Sequence, residues 1–161
     1  MKLFKKAKKG FTLVELVVVI AVIAILAAVS VGAYFGVTES ANNSQADQEA
    51  KALHTSIMLV VSDPDSGFAV DETNGNLKLN NNPIACTVAQ GATHTHDETC
   101  TSFEAAIEDV TGLDYDVVAA APDTFAKPTI VVASGAVSYY TVKGYGRTLN
   151  LKTGAIDEVD A

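Results

Sequence analysis

The sequence predicts an α+β fold, in which a long N-terminal helix over residues 11–62 packs its C-terminal half on a small antiparallel β-sheet. Three observations predict it. An uncharged stretch of 23 residues runs from Leu16 to Thr38. Apolar residues then recur at helical spacing as far as Ser62. Beyond Pro64, short apolar segments separated by glycine-containing turns replace the helical pattern, as is typical of strands.

The uncharged stretch is long enough to cross a lipid bilayer, since a spanning helix needs about 20 apolar residues. The first ten residues contain five lysines and no acid. This basic leader predicts that the N-terminus stays in the cytoplasm. A single acid, Glu15, lies inside the hydrophobic segment, where a carboxylate costs roughly 2.5–3.5 kcal/mol near the helix centre and less toward its end.

The helix is expected to continue beyond the membrane segment as an amphipathic helix. Polar residues occupy the opposite face, and Pro64 ends the helix because it lacks an amide donor. A helix over residues 11–62 would be about 78 Å long at 1.5 Å per residue. The apolar stripe consists of Ala41, Ala46, Ala50, Leu53, Ile57 and Val60.

The remainder of the chain predicts strands, turns and one short helix. Asn74-Gly75 between two short apolar segments, 68–70 and 76–79, is a strong hairpin signal. Ser102 is expected to cap a helix over 102–110, and Gly112 to close it. Short connections predict an antiparallel meander, with residues 157–160 as a frayed acidic tail. The predicted strands of the meander are 115–118, 129–133, 136–142 and 147–151.

Two adjacent tyrosines, Tyr139 and Tyr140, lie in one of these strands. Side chains alternate between the two faces of a strand. One of the two rings is therefore expected in the core.

The N-terminal segment has a motif that is more specific than its hydrophobicity. A basic leader ends with Lys9 and Gly10, and Phe-Thr-Leu-Val-Glu (residues 11–15) and a long apolar run follow. This pattern resembles the class III signal of type IV prepilins, in the family of type IV pilins and type II secretion pseudopilins. The resemblance covers about the first 40 residues and implies the family's lollipop-shaped fold.

The resemblance also implies a maturation route. A membrane peptidase would cut between Gly10 and Phe11 on the cytoplasmic side and methylate the new amine of Phe11. Glu15 would then pair with the Phe11 amine of a neighbouring subunit during filament assembly. The alternative is an ordinary anchor, in which Glu15 lies near the interface and reaches water.

Two glycines, Gly32 and Gly36, lie one turn apart in the apolar half of the helix. Many relatives have a helix-disrupting proline at the place of Gly32, so this chain departs from that pattern. The glycines either let the helix bend or melt inside a filament, or form a small-residue face for helix packing.

The two cysteines, Cys86 and Cys100, lie in the part predicted to be outside the cell. An even pair in that context is most often a disulfide. The bridge would close a loop of about 15 residues and contribute about 3 kcal/mol in the chain-entropy model.

The loop between the cysteines contains possible metal ligands, namely His94, His96, Asp97 and Glu98. Oxidised cysteines supply no thiolate, which leaves a histidine and carboxylate site suited to zinc or copper. The alternative is a solvated polar loop with two histidines, which the neighbouring Gly, Thr and Ala residues favour. No cofactor is expected.

The charge of the chain excludes some classes of function. The precursor has a net charge of −8, and removal of the first ten residues leaves −13. So acidic a protein is not expected to bind nucleic acid directly. The sequence lacks the motifs of hydrolases, nucleotide-binding enzymes and zinc proteases. The acids at 63, 65, 71 and 72 lack the order of a calcium loop.

The sequence therefore predicts a non-enzymatic type IV pilin that polymerises into a surface filament for adhesion, motility or DNA uptake. Its expected partners are further copies of itself, the prepilin peptidase, and an inner-membrane assembly platform with its ATPase. The precursor is expected in the cytoplasmic membrane, and the mature subunit in an extracellular pilus or a short periplasmic or cell-wall filament.

The predicted parts are a leader (1–10), the membrane and filament-core half of the helix (11–37), its amphipathic half (38–62) and a head (63–161). Three alternatives remain open. They are a pseudopilin of a secretion or competence system, a membrane-anchored extracellular binding domain, and a secreted domain released near Ala27-Ala28.

Overall fold

The structure, a computed structural model, describes residues 10–84, 86 and 98–159. It confirms the predicted α+β fold class, with a long N-terminal helix followed by small sheets. The elements are α1 (Leu13–Ser62), β1 (Phe68–Val70), β2 (Leu77–Leu79), β3 (Asn82–Pro83), α2 (Glu98–Thr111), β4 (Asp116–Val118), β5 (Thr129–Ala133), β6 (Ala136–Tyr140), β7 (Gly146–Leu149) and β8 (Ile156–Glu158).

The chain divides into two compact units between Ala41 and Asn42, within α1. The first unit contains the apolar half of α1. The second, from Asn42 onward, contains the amphipathic half of α1, α2 and both sheets, and it is called the head below.

The head has one hydrophobic core, to which α1 contributes the predicted stripe. Ala46, Ala50, Leu53, Ile57 and Val60 are all buried, which confirms the helical periodicity. Ala41, the first residue of the predicted stripe, is exposed. The sheets, α2 and residues next to the strands complete the core with Phe68, Leu77, Ile84, Phe103, Ile107, Val117, Ile130, Val132, Val137, Tyr139, Leu149 and Leu151.

The small sheet has the order β1-β2-β3, with both pairs antiparallel. The hairpin predicted around Asn74-Gly75 is confirmed. The Gly75 amide donates to the carbonyl of Asp71 at 2.8 Å. Gly75 has a φ of 78°, a left-handed conformation that glycine adopts without steric cost.

The larger sheet has the order β4-β5-β6-β7-β8. The predicted antiparallel meander is confirmed from β5 to β7, and β8, which was not predicted as a strand, continues it. The exception is β4, which pairs with β5 in parallel. A parallel neighbour requires the chain to cross back before the next strand begins, and the stretch 119–128 between these strands makes that return.

Two local predictions were wrong. The acidic residues Asp157 and Glu158 do not belong to a frayed tail but to β8, an edge strand paired with β7. The second helix begins at Glu98, earlier than predicted, so Ser102 is not its cap and its hydroxyl donates to the Glu98 carbonyl at 2.7 Å. Gly112 closes α2 as predicted, with φ 65° and its amide bound to the Glu108 carbonyl at 2.7 Å.

The two adjacent tyrosines lie on opposite faces of β6, as predicted. Tyr139 is buried in the core below α1, whereas Tyr140 is half-buried and stacks on Phe125 with 5.2 Å between ring centroids. The ring of Tyr140 covers Gly146 on the neighbouring strand, where a Cβ atom would come within 2.5 Å of it.

Candidate functional site

The segment from Phe11 to Val37 presents apolar side chains on all sides of a helix, and every one of its residues is exposed. An 18-residue window of α1 has a mean hydropathy of 3.0, and none of it is buried in the protein. By length and composition α1 is thus able to span a membrane. A surface this apolar is stable only when lipid or other helices cover it.

Thr12 and Glu15 close the N-terminal end of this helix. The amide and hydroxyl of Thr12 each donate to Glu15 Oε2 at 3.0 Å, and the Glu15 amide donates to the Thr12 hydroxyl oxygen at 3.3 Å. This reciprocal arrangement is a capping box, with Thr12 as the N-cap and Glu15 as the third helical residue. The capping box was not predicted from the sequence, although the Thr-x-x-Glu spacing is its signal.

Other polar side chains of the segment also bond to their own helix. The Ser30 hydroxyl donates to the Leu26 carbonyl at 2.7 Å, and the Thr38 hydroxyl lies 3.0 Å from the Tyr34 carbonyl. In lipid, polar groups must find such internal partners. The helix is continuous through Gly32 and Gly36, and a Cβ atom at either would meet nothing within 4 Å.

The structure places the predicted processing residues at the start of the segment. Gly10 and Phe11 are exposed and precede the first helical residue, Leu13. Glu15 is bound to Thr12 of its own chain, whereas its predicted partner, the Phe11 amine, belongs to another copy. The pairing of Glu15 with that amine stays a prediction.

In the head, Cys86 and Cys100 form a disulfide. It connects the segment after β3 to the first turn of α2. Cys100 is fully buried and Cys86 almost so, and both belong to the hydrophobic core. The bridge therefore fixes the start of α2 in the core and closes the intervening loop at its base.

The predicted metal ligands His94, His96 and Asp97 lie outside the described residues. Within the ranges the structure describes, no three His, Cys, Asp or Glu side chains are grouped as metal ligands would be.

Asp71, one of the acids beyond α1, forms an ion pair with Lys78 at 2.5 Å and accepts a hydrogen bond from the Thr73 amide at 2.7 Å. The Lys78 ammonium and this amide lower the pKa of Asp71 to about 2.

Polar side chains of β6 and β7 hold the first two turns of α1 within the head. Arg147 is 4% exposed, and its Nε lies 2.5 Å from Asp47 Oδ1. Its Nη2 donates to both oxygens of Asn43, at 3.1 Å to the carbonyl and 3.0 Å to the side chain. Arg147 therefore binds two residues one helical turn apart.

A second contact of the same kind lies two residues further along α1, at Glu49. The Tyr139 hydroxyl donates to Glu49 Oε2 at 2.6 Å, and Gln45 donates to the other carboxylate oxygen at 2.7 Å. Burial, followed by the adjacent Glu49 carboxylate, raises the pKa of the Tyr139 hydroxyl well above its usual range. Together, the contacts of Arg147 and Tyr139 with α1 are called the polar clasp.

Replacing Arg147 by alanine is expected to lower the free energy of unfolding of the head by about 2–3 kcal/mol. This is less than the 3–5 kcal/mol typical of a broken buried ion pair, because Asp47 is half-exposed and can be hydrated again. Chemical denaturation of the full chain in detergent, followed by tyrosine fluorescence, measures the change. Hydrogen exchange should localise it to residues 42–49.

The matched control is Lys143→Ala, which removes an exposed contact with the same helix, 2.7 Å from Asn42 Oδ1. Exposed polar contacts of this kind contribute about 0–1 kcal/mol. Equal stabilities of the two variants would show that Arg147 does not hold α1.

A family model, described as the prokaryotic N-terminal methylation motif, matches residues 5–31. The match begins in the basic leader and includes Gly10, Phe11, the capping box and much of the apolar helix. Comparison with curated proteins and comparison with solved structures both gave no match. The chain thus has the class III prepilin signal typical of type IV pilins and pseudopilins and, with its apolar helix, is made as a membrane-anchored precursor.

Proposed function

We propose that the protein is a type IV pilin, a structural subunit without enzymatic activity that polymerises into an extracellular filament. The single observation that carries the proposal is the match to the methylation motif at residues 5–31, on a helix whose apolar side chains are exposed on every side. Such a helix first lies in the membrane and then in the filament core, because both surroundings cover its surface.

Maturation takes place at the Gly10–Phe11 bond. A prepilin peptidase cuts this bond on the cytoplasmic side and methylates the Phe11 amine. Both residues are exposed and lie before the first helical turn, which supports access by a protease. The leader that is removed contains five of the eleven basic residues of the chain.

Glu15 then sets the position of each incoming subunit through an ion pair between the two copies. An α-amino group has a pKa near 8 and is largely charged at neutral pH, so the Phe11 amine can pair with a carboxylate of another copy. Before assembly, the two donors of Thr12 satisfy Glu15 at 3.0 Å. The carboxylate is therefore tolerated in the precursor and gains a charged partner in the filament.

The partners in this scheme are further copies of the chain in a helical filament, the peptidase, and an inner-membrane platform with its ATPase. The same motif is typical of pseudopilins, which assemble by the same route. The head, whose net charge makes it strongly acidic and soluble, is the part that contacts the surroundings of the filament.

Mass spectrometry of the protein from membranes and from shed filaments tests the proposal. We expect a mature chain that begins with methylated Phe11. An intact Met1, as for an uncleaved anchor, or a start near Val29, as for a secreted domain, would overturn it. Gly10→Val should block cleavage, and the matched change Gly32→Ala should leave cleavage unchanged.

Electron microscopy of shed material distinguishes a pilin from a pseudopilin. Long surface filaments are expected for a pilin. A methylated chain found only in envelope fractions, with no surface filaments, would instead identify a pseudopilin.

A further inference from the structure

The head has a groove with an apolar floor and acidic residues around it. It lies between the last turn of α1 and the C-terminal half of α2, and its cavity volume is about 150 Å³. Leu59, in α1, and Val110, in α2, are 58% and 42% exposed. The groove is lined by Leu59, Val60, Ala106 and Val110, with Asp63 and Asp109 as its acids.

The turn between β6 and β7 has the complementary chemistry. Val142 is 52% exposed, and Lys143 beside it is exposed too. The turn is held by two backbone hydrogen bonds, Gly144 to the Thr141 carbonyl at 2.8 Å and Thr141 to the Tyr145 carbonyl at 3.1 Å. This Val142-Lys143 knob therefore presents one apolar side chain and one cation in a fixed turn.

Exposed large apolar side chains are few in the described part of the head. They are Leu59, Val110, Leu113 and Val142. Two of them line the groove, Leu113 lies just beyond the end of α2, and Val142 belongs to the knob. The groove and the knob thus contain three of the four large apolar side chains that are exposed in the described part of the head.

Charge identifies a second copy of the chain as the occupant of the groove. Two acids favour a partner with a cation next to an apolar side chain, and Lys143 is such a cation. The other basic residues beyond Gly10 lack this combination of an unpaired, exposed cation and an adjacent exposed apolar side chain. Lys78, Lys127 and Lys152 are in ion pairs with acids, Arg147 is buried, and Lys51 lies between two alanines.

The two surfaces lie at different levels along α1. Lys143 contacts Asn42 at 2.7 Å, so the knob lies beside the first residue of the head. The groove begins at Leu59, 17 residues later, which corresponds to about 26 Å along the helix. Between copies whose helices run in parallel, as in a filament, a contact between surfaces at different levels is offset along the axis. Such a contact does not close a dimer and instead repeats as an open, helical array.

We propose that the Val142-Lys143 knob of one copy docks in the α1–α2 groove of the next copy along the filament. This rests on the proposed assembly into a filament and adds a contact between heads to it. Val142 fills the apolar floor, and Lys143 pairs with Asp109. The Lys143 ammonium has three donors, so its bond to Asn42 leaves two for the acid.

Cysteine cross-linking in intact filaments tests the contact directly. The full chain with both Val142→Cys and Val110→Cys is expected to give a ladder of covalent multimers after mild oxidation, because each copy is linked at both ends. Either substitution alone should give no multimer beyond a dimer. The matched control, Val142→Cys with Lys51→Cys, should give no ladder.

Charge reversal supplies a test that needs no new cysteine. Lys143→Glu and Asp109→Lys are each expected to reduce filament yield several-fold, and the double variant to recover it. Lys51→Glu, on an exposed residue of α1, is the control and should assemble normally. The contact should also weaken with rising salt, because its charged pair is at the surface.

The outcomes separate this contact from the proposed function. Normal filaments without a ladder, and with no effect of charge reversal, overturn the docking contact and leave the filament proposal intact. If the unmodified chain forms no filament at all, both proposals are overturned. A ladder with recovery by the double variant supports both.

Discussion

Glu15→Gln is expected to abolish filament assembly, while the precursor remains folded and membrane-anchored. Glutamine can still accept the Thr12 hydrogen bonds, because a capping box functions with either Glu or Gln at the third helical position. What glutamine lacks is the negative charge that, in our proposal, pairs with the Phe11 amine of another copy. The substitution therefore separates helix capping from pairing between subunits.

The expected loss is large because the pair would be buried among apolar helices. Removing one partner of a buried ion pair typically costs 3–5 kcal/mol, which corresponds to more than a hundredfold in an association constant. Filament yield, measured by shearing and electron microscopy, should fall below detection. The amount of precursor in the membrane should not change.

Two further variants complete this experiment. Glu39→Gln removes an acid from an exposed position of α1 beyond the apolar segment, and it should assemble as the unmodified chain does. Glu15→Ala should lose both the cap and the pairing. Normal filaments from Glu15→Gln would refute the pairing and leave Glu15 as a helix cap.

Replacing both cysteines by alanine is expected to lower the free energy of unfolding of the head by about 3 kcal/mol, within the 2–5 kcal/mol typical of native disulfides. The chain-entropy model gives this value for a loop of about 15 residues, and Cys86 and Cys100 are 14 positions apart. The melting temperature should fall by roughly 10 °C for a domain of this size. Near-ultraviolet circular dichroism of the full chain in detergent reports mainly on the head, which contains four of the five tyrosines.

Ser102→Ala is the matched control, since it changes an exposed residue of the same helix. Surface changes of this kind usually remain within about 0.5 kcal/mol. Reduction of the unmodified protein should be slow, because Cys100 is fully buried and Cys86 nearly so. If the double variant melts like the unmodified chain, α2 is held by its apolar contacts alone.

The sequence predicted the features whose causes are local. The uncharged stretch, the apolar stripe and Pro64 together defined α1 to its last residue, Ser62. The turn at Asn74-Gly75 and the opposite orientations of Tyr139 and Tyr140 were also predicted correctly. Both depend only on glycine conformation and strand geometry within a few residues of the chain.

The features that the sequence did not predict depend on distant contacts. Arg147 and Asp47 are 100 positions apart, so nothing near either residue indicates the polar clasp. The short strand β8 contains two acids that resemble a solvated tail, and only its pairing with β7 makes it a strand. Parallel pairing of β4 with β5 depends on the path of the chain between them, which strand propensities do not specify.

The capping box has a consequence for the order of events in maturation. Thr12 and Glu15 both lie after the Gly10–Phe11 bond, so the proposed cut at that bond would remove neither partner of the hydrogen bonds that start α1. The proposed cleavage would remove the five lysines of the leader and create one new amine at Phe11. The N-terminal end of α1 would not have to refold. In this proposal the peptidase would change only the charge at the end of a helix that is already formed, and a subunit in the bilayer would be ready to polymerise once its leader is removed.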